Sequence, residues 1–295
     1  MKGKIRRAVD RRAAMQTGDT DALRMVDGSG DGLEGLVIDA YKGRWLVQTK
    51  GERPGREVIE GCLEFCESVW WKRLDQDVKL APVVLAGEEV GARFLAKESG
   101  VSYWCDFSAG YSQGIFLDQR LNREAVGKRG AGAVLNLFSY TCGFSVAAAL
   151  GGAVTTSLDL SQPYLDWGKE NLELNGVDAG EHYFCKGDAL RWLERWAKSG
   201  RRFRGVVADP PTFSRNEKGK VWRVERDYGD LVESVAGVVE PGGWALFCTN
   251  FRGVGVDAFE GIVAGRCGRA SCRSVGMPPE YRGERFLKSV WVDFA

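Results

Sequence analysis

The sequence predicts an α/β protein in two parts, a small α+β domain over residues 1–106 and a larger domain built on an open, mostly parallel sheet over residues 107–295. Three observations point there. Beyond residue 107, short apolar runs alternate with segments of helical spacing, the pattern of consecutive strand and helix units. Gly151, Gly176, Gly200 and Gly242 fall where those helices should stop. The first hundred residues lack this alternation and read as a hairpin, a helix and a further strand.

In chain order, Gly32 to Asp39 and Arg44 to Thr49 flank a Tyr-Lys-Gly turn and suit a hairpin. Arg56 to Leu74 carries Val58, Ile59, Cys62, Phe65, Cys66 and Val69 at helical spacing, and Pro-Val-Val-Leu-Ala-Gly follows as a strand. In the second part the strands are Ala133 to Leu137, Val154 to Leu158, Tyr183 to Cys185, Val206 to Ala208 and Trp244 to Cys248, with Phe286 to Asp293 closing the sheet. Helices are expected over Ser145 to Leu150, Gln162 to Leu174, Ala189 to Ala197 and Val224 to Val239.

Composition narrows the functions. With 44% hydrophobic residues and ten tryptophans the chain fills a real core. No apolar run approaches the roughly 20 residues of a membrane span, and Met1 to Arg12 lack a secretory signal's apolar stretch, so a cytoplasmic address is expected. The eight cysteines form no Cys-x-x-Cys pair and there is one histidine, so no metal site is expected. Net charge is +1, and attraction to nucleic acid must come from local clusters. Residues 1–12 carry six Lys/Arg against one acid, and residues 201–226 carry eight against three. The ordinary meaning of such runs is a solvated face or a loose tail. The second, with Arg215, Lys218, Lys220, Arg223 and Arg226, straddles the most specific motif of the chain.

In an open α/β sheet, ligands sit outside the carboxyl ends of the strands, near the point where strand order reverses. After the first strand comes Asn136-Leu137-Phe138-Ser139-Tyr140-Thr141-Cys142-Gly143, a polar turn opening a helix whose free amides favour an anion. The second strand ends in Asp159 and Ser161, an acid placed for a ribose or a helix cap. The third ends in Asp188, which meets an adenine amino group or caps the next helix. The fourth ends in Asp209-Pro210-Pro211-Thr212-Phe213. Two prolines take the chain out of the sheet in one rigid shape and present Asp209, carbonyls and an aromatic ring to a planar base.

Gly114 to Arg120 (Gly-Ile-Phe-Leu-Asp-Gln-Arg), Asn136 to Ser145, Asp159, Asn175-Gly176, Asp188 and Asp209 to Ser214 resemble the class I S-adenosylmethionine-dependent methyltransferases of large-subunit ribosomal RNA. The resemblance implies a seven-stranded, Rossmann-like methyltransferase sheet with a small N-terminal domain, the latter carrying Asp27 to Asp39. It implies S-adenosylmethionine as cofactor and ribosomal RNA as partner, and leaves no room for the RNA-binding PUA domain of some members. By the same resemblance Asp118 and Arg120 help close the donor site. The Asn136, Phe138, Ser139, Tyr140, Thr141 and Gly143 turn holds the methionine part, Asp159 with Ser161 the ribose, and Asp188 the adenine. Asp209, Pro210, Pro211 and Phe213 face the target base. The family often has Gly where this chain has Cys142.

One branch of the family methylates cytosine C5 through a cysteine nucleophile and reads Ser-Cys-Ser after the fifth strand. Here Cys248-Thr249-Asn250-Phe251-Arg252-Gly253 puts Asn250 at that position and resembles the guanine N7 branch, where direct transfer needs only alignment. Cys248, on the same strand face as Asn250, is the nucleophile of the alternative reading and otherwise a packed strand cysteine. Transfer to a small molecule would leave the basic residues of 201–226 without a task. A nicotinamide oxidoreductase would need a Gly-x-Gly-x-x-Gly turn over Leu137 to Gly143, which is absent. A binding-only RNA protein differs by failing to bind the donor.

Overall fold

In a computed structural model, the chain is described at residues 1–295 apart from 17, 76–79, 89, 90, 92, 110, 111, 216–220 and 269. Lys218 and Lys220 of the basic cluster lie outside the described residues, as does the side chain of Arg215. The chain forms two compact units, one of residues 1–120 with 278–285, the other of residues 121–277 with 286–295.

The first unit is built on five strands, β1 (Ala22–Asp27), β2 (Leu36–Tyr41), β3 (Arg44–Thr49), β4 (Ser68–Arg73) and β5 (Val83–Gly87), in that spatial order. All neighbours are antiparallel except β3 and β4, which helix α2 (Arg56–Leu63) joins as a parallel pair. The expected hairpin is β2 and β3. The expected helix over Arg56 to Leu74 stops at Leu63, and Ser68-Val-Trp-Trp-Lys-Arg is a strand. Val69 fits a helical repeat, but aromatic and β-branched residues side by side suit a pleated surface better. Strands β6 (Arg93–Glu98) and β7 (Val101–Asp106) form a separate hairpin.

Helix α1 (Lys2–Asp10) buries Ile5, Ala8 and Val9 in one cluster with Leu23, Ile38, Trp45, Val58 and Cys62. The basic run at residues 1–12 is therefore not a loose tail: it lies on a packed helix whose outer face carries Lys2, Lys4, Arg6, Arg7 and Arg11 exposed, while Arg12 alone of its basic residues is buried. Lys2 pairs with Glu60 at 2.6 Å and Arg6 with Glu64, both from α1 to α2. Arg12, 1% exposed, grips the buried Asp31 at 2.7 Å and donates to the carbonyls of Ala8 (3.0 Å) and Glu280 (2.6 Å). Arg11 also reaches Asp31, at 2.9 Å. Burial alone would raise the Asp31 pKa, but the bonds from Arg12 and from the Asp27 amide outweigh it and hold the carboxyl below its ordinary value.

The second unit carries the seven-stranded sheet. Its strands are β8 (Gly132–Leu137), β9 (Ala153–Asp159), β10 (Tyr183–Lys186), β11 (Phe203–Ala208), β14 (Val239–Thr249), β15 (Ser271–Val275) and β16 (Lys288–Asp293), in the order β10-β9-β8-β11-β14-β16-β15. The first five are parallel, and β16 runs antiparallel to both β14 and β15. Strand order reverses between β8 and β11, so the site is to be sought at their carboxyl ends. A two-stranded ribbon, β12 (Phe213–Arg215) with β13 (Val221–Arg223), leaves the sheet after β11.

Burial on both faces explains why the central strands β8, β11, β14 and β16 read as largely apolar runs. Leu135, Leu137, Val206, Ala208, Ala245, Phe247, Val290 and Val292 pack on one face against α6 (Ala189–Ser199), α7 (Val224–Ala236) and α8 (Val256–Ala264). Val134, Val207, Trp244, Leu246, Cys248 and Trp291 pack on the other against α3 (Arg120–Gly127) and α4 (Gly143–Leu150). A side chain at Gly205 would lie 2.2 Å from the Trp244 ring, so only glycine serves there. Helix α5 (Gln162–Leu174) follows β9, and Gly176 and Gly200 close α5 and α6 with positive φ. Gly242 does not end a helix: α7 stops at Ala236 and Gly242 lies inside β14.

Replacing Arg12 by Met should leave the Asp31 carboxylate buried with a weaker partner and cost about 3 kcal/mol in urea denaturation at pH 7. Because the folded pKa of Asp31 is depressed, this contribution is complete above its unfolded pKa of about 4 and vanishes as pH falls through the folded value. The gap between wild type and Arg12→Met should therefore close below about pH 4. A gap that widens there would overturn the assignment.

Candidate functional site

The turn after β8 begins the site, and its backbone is unusual. Phe138, Tyr140 and Cys142 all take left-handed conformations (φ 56°, 48° and 62°), which residues with a Cβ adopt at a cost of about 1–3 kcal/mol each. Several bonds hold the turn in this shape. The Ser139 amide donates to the Leu158 carbonyl at 3.0 Å, and the Cys142 amide to the Ser139 carbonyl at 2.8 Å. Asn171, buried in α5, donates to the Thr141 carbonyl at 2.9 Å. Asn136 is buried at the end of β8, donating to Ser145 at 2.9 Å, and Ser145 meets Ser157 at 2.7 Å. This polar chain ties β8 and β9 to the first turn of α4, whose first residue is Gly143.

Asp159, the last residue of β9, accepts from the Tyr140 amide through one oxygen and from the Ser161 amide through the other, both at 2.9 Å. Burial raises its pKa despite these bonds. A carboxylate offers about four lone-pair sites, so both oxygens retain capacity for a ligand hydroxyl. Ser161 stands at the N-cap of α5 but makes no side-chain capping bond. Asp188 does cap α6, accepting from the Arg191 amide at 3.1 Å.

Phe138, Asp159 and Asp188 meet in one cavity. Its lining includes Phe138 from the first turn, Asp159 and Leu160 from the second, Gly187 and Asp188 from the third, and Trp222 from the ribbon. Phe138 and Trp222 face each other across 6.1 Å. Beyond Asp188 a wider trough of about 820 Å³ follows α6, with Lys186, Arg191 and Arg195 in its walls. The narrower cavity combines aromatic faces with three carboxylates, Asp159, Asp188 and Asp227, groups that suit a nucleoside's base and ribose.

Asn136, Ser139, Tyr140, Thr141, Gly143, Ser161, Asp209, Pro210, Pro211 and Phe213 are not among the residues lining this cavity, nor is Asn250. Asp209 follows directly on β11, half-buried, with Pro210 buried and Pro211 exposed. Phe213 is 52% exposed, with the Arg223 guanidinium 5.7 Å from its ring centre. Asn250 is exposed immediately after β14, whereas Cys248 is wholly buried among Leu246, Trp244 and Trp291. Asp118 and Arg120 belong to the first unit, where Arg120 pairs with Glu280 at 2.7 Å.

Two contributors escaped the sequence. The ribbon places Trp222 on the cavity and ties it to the Pro211 carbonyl at 2.9 Å. Its signal was present as two short runs, Phe-Ser-Arg and Val-Trp-Arg, but the basic composition between them read as a charge cluster. Tyr228 of α7 is the other. Its buried hydroxyl donates to the Cys248 carbonyl at 2.7 Å and lies 3.5 Å from that of Ala208, linking the ends of β14 and β11. Burial, and then the fields of Cys248 and Asp209, raise its pKa well above the ordinary tyrosine value. Among the described residues no cluster of candidate metal ligands is found, and no helix is long and apolar enough to cross a membrane.

Residues 73–281 match the S-adenosylmethionine-dependent methyltransferase family. The ribosomal RNA large subunit methyltransferase K of Neisseria meningitidis serogroup B is 36% identical over 65% of this chain, which spans only 54% of that protein. The ribosomal RNA large subunit methyltransferase I of Klebsiella pneumoniae is 32% identical over 83% of the chain and 64% of its own length. Among solved structures, the SMU.776 protein in complex with SAH superposes with a TM-score of 0.90 at 26% identity, covering 99% of this chain and 80% of that one.

Cys142 and Gly168 interlock. A Cβ added at Gly168 would lie 2.2 Å from the Cys142 sulfur and 2.7 Å from its Cβ. Burial pushes the Cys142 thiol pKa up to about 11, so the group acts as packing. Gly168→Ala should cost about 2 kcal/mol in urea denaturation. Cys142→Gly, which suits the positive φ, should restore most of that loss when combined with it. Strict additivity of the two changes would show that the contact carries no energy.

Proposed function

The chain belongs to the S-adenosylmethionine-dependent methyltransferases, and on that premise we propose that it methylates a base of ribosomal RNA, the N7 of a guanine, by direct transfer. When bound, S-adenosylmethionine supplies an electrophilic methyl group on its sulfonium. The residues of the cavity suit that donor: Asp159 accepts from ribose hydroxyls, Asp188 from the adenine amino group, and Phe138 and Trp222 offer ring faces to the base. Asn136, Ser139, Tyr140, Thr141, Gly143 and Ser161 shape the backbone around the donor. Asp118 and Arg120 are assigned to closing the donor site on the family resemblance of their motif.

On the acceptor side, Asp209, Pro210 and Pro211 form a stiff support for the target base, Phe213 gives it a stacking surface, and Asn250 faces it from the end of β14. The bond from Tyr228 steadies the end of β14 near that support. Guanine N7 carries its own lone pair, so these residues need only orient it and exclude water. The observation that carries the choice of direct transfer is the burial of Cys248, which is 0% exposed, against the exposure of Asn250. A thiol without access cannot add to a cytosine ring, which weighs against the C5 reaction. Ribosomal RNA as substrate is supported by the names of the relatives and by Arg223 beside Phe213, and it implies a cytoplasmic setting.

Nucleoside mass spectrometry of ribosomal RNA from cells with and without the protein should reveal one 7-methylguanosine that depends on it. Loss of a 5-methylcytidine instead, or of nothing, would reject the assignment.

With purified protein, Asp209→Ala should lower turnover by about 100-fold or more while changing donor affinity less than Asp159→Ala does. Equal loss of donor binding in the two variants, measured by calorimetry, would mean that the acceptor pocket has been misplaced.

Cys248→Ala should retain methyl transfer within about threefold and cost about 1 kcal/mol of stability. Abolished transfer in a folded Cys248→Ala protein would point to the thiol mechanism.

A further inference from the structure

The last residue of β14, Thr249, and the first of β16, Lys288, stand directly opposite each other in the antiparallel ladder. Directly opposed residues of such a pair point to the same face, so their side chains leave the sheet together. Both turn back on one residue, Phe251. The Thr249 hydroxyl accepts from the Phe251 amide at 3.2 Å, and the Lys288 ammonium donates to the Phe251 carbonyl at 2.5 Å. Lys288 also donates to the Phe286 carbonyl at 2.8 Å, which ties the turn after β14 to the chain entering β16. The partly buried Phe251 ring packs against the core cluster that holds Phe259 and Val263. Asn250 lies between Thr249 and this triply held residue, and is itself exposed.

Thr249 is 0% exposed and Lys288 only 5%. A buried ammonium gives up hydration that carbonyl dipoles replace only in part, and lysines at this depth are rare. A methionine would fill the space without that cost, so stability alone does not explain a lysine here. We propose that Lys288, with Thr249, is a positioning residue for methyl transfer, fixing the Phe251 backbone and thereby holding Asn250 toward the acceptor base; this rests on the reading of Asn250 as facing that base. Methyl transfer tolerates little misalignment, since a misplacement of about 1 Å costs on the order of 100-fold in rate. A side chain on an untethered surface turn ranges more widely than that. One whose neighbour is bound at amide, carbonyl and ring does not.

The test uses the full chain, follows the turn by hydrogen exchange, and takes ribosomal RNA from cells lacking the protein as methyl acceptor. In Lys288→Met the Phe251 amide should exchange about tenfold faster, while the Ser139 and Tyr140 amides keep their protection. Turnover should fall about tenfold, with SAH affinity by calorimetry unchanged within about twofold. Lys288→Arg, which keeps the charge and can donate to two carbonyls, should recover most of that loss. Asn250→Ala should cost much less in the Lys288→Met background than alone, because the turn has already lost its aim. Should Lys288→Met fail to fold, Thr249→Val, which removes the acceptor for the Phe251 amide, is expected to give the same pattern. Unchanged exchange at Phe251, an equal fall in turnover and SAH affinity, or losses at 250 and 288 that simply multiply would each overturn the proposal. If Asn250→Ala lowers turnover and Lys288→Met does not, the proposal alone falls; if Asn250→Ala has no effect, the reading of Asn250 falls and the proposal with it. Should the wild-type chain transfer no methyl to ribosomal RNA, the substrate reading fails, and exchange at Phe251 still decides for or against the tether.

Discussion

The strained turn from Phe138 to Cys142 is the constraint on which the rest of the second unit's site depends. Three left-handed residues with side chains would relax if the chain were free to do so. They persist because the turn is tied at separate points, by Asp159 to the Tyr140 amide, by Leu158 to the Ser139 amide and by Asn171 to the Thr141 carbonyl. Asp159 thus has two tasks. It is a carboxylate on the wall of the cavity after β8, and it is also the clamp that gives that cavity its Phe138 wall.

The opposite wall has a different logic. Trp222 reaches the cavity from a short ribbon outside the main sheet, and its indole bond to Pro211 couples the ribbon to the stiff turn after β11. Tyr228, one helix later, joins the carbonyls at the ends of β11 and β14. Rigid prolines, a bonded indole and a buried phenol therefore connect the cavity assigned to the donor with the residues assigned to the acceptor.

Much of this was legible in the sequence, and the reasons differ by element. The central strands β8, β11 and β14 read correctly because burial on two faces writes apolar runs. The acids at strand ends, Asp159 and Asp188, could be named because strand termini in such sheets are predictable places, although their backbone bonds could not. Strand β4 was mistaken for helix because Val69 happens to continue a helical spacing that Val58 and Cys62 begin. The charge at residues 1–12 was opaque for another reason: pairs such as Arg12 with Asp31 and Lys2 with Glu60 join positions distant in sequence, which local composition does not encode. Trp222 and Tyr228 belong to the same class, since each acts through a carbonyl whose neighbourhood only folding defines.

The contact of Cys142 with Gly168 also limits which residues the two positions tolerate. Cysteine at position 142 is compatible with glycine at 168 and with nothing larger, because a Cβ there would lie 2.2 Å from the sulfur. The sulfur at position 142 and a side chain at position 168 claim the same space, so the two positions constrain each other across the turn and the adjoining helix.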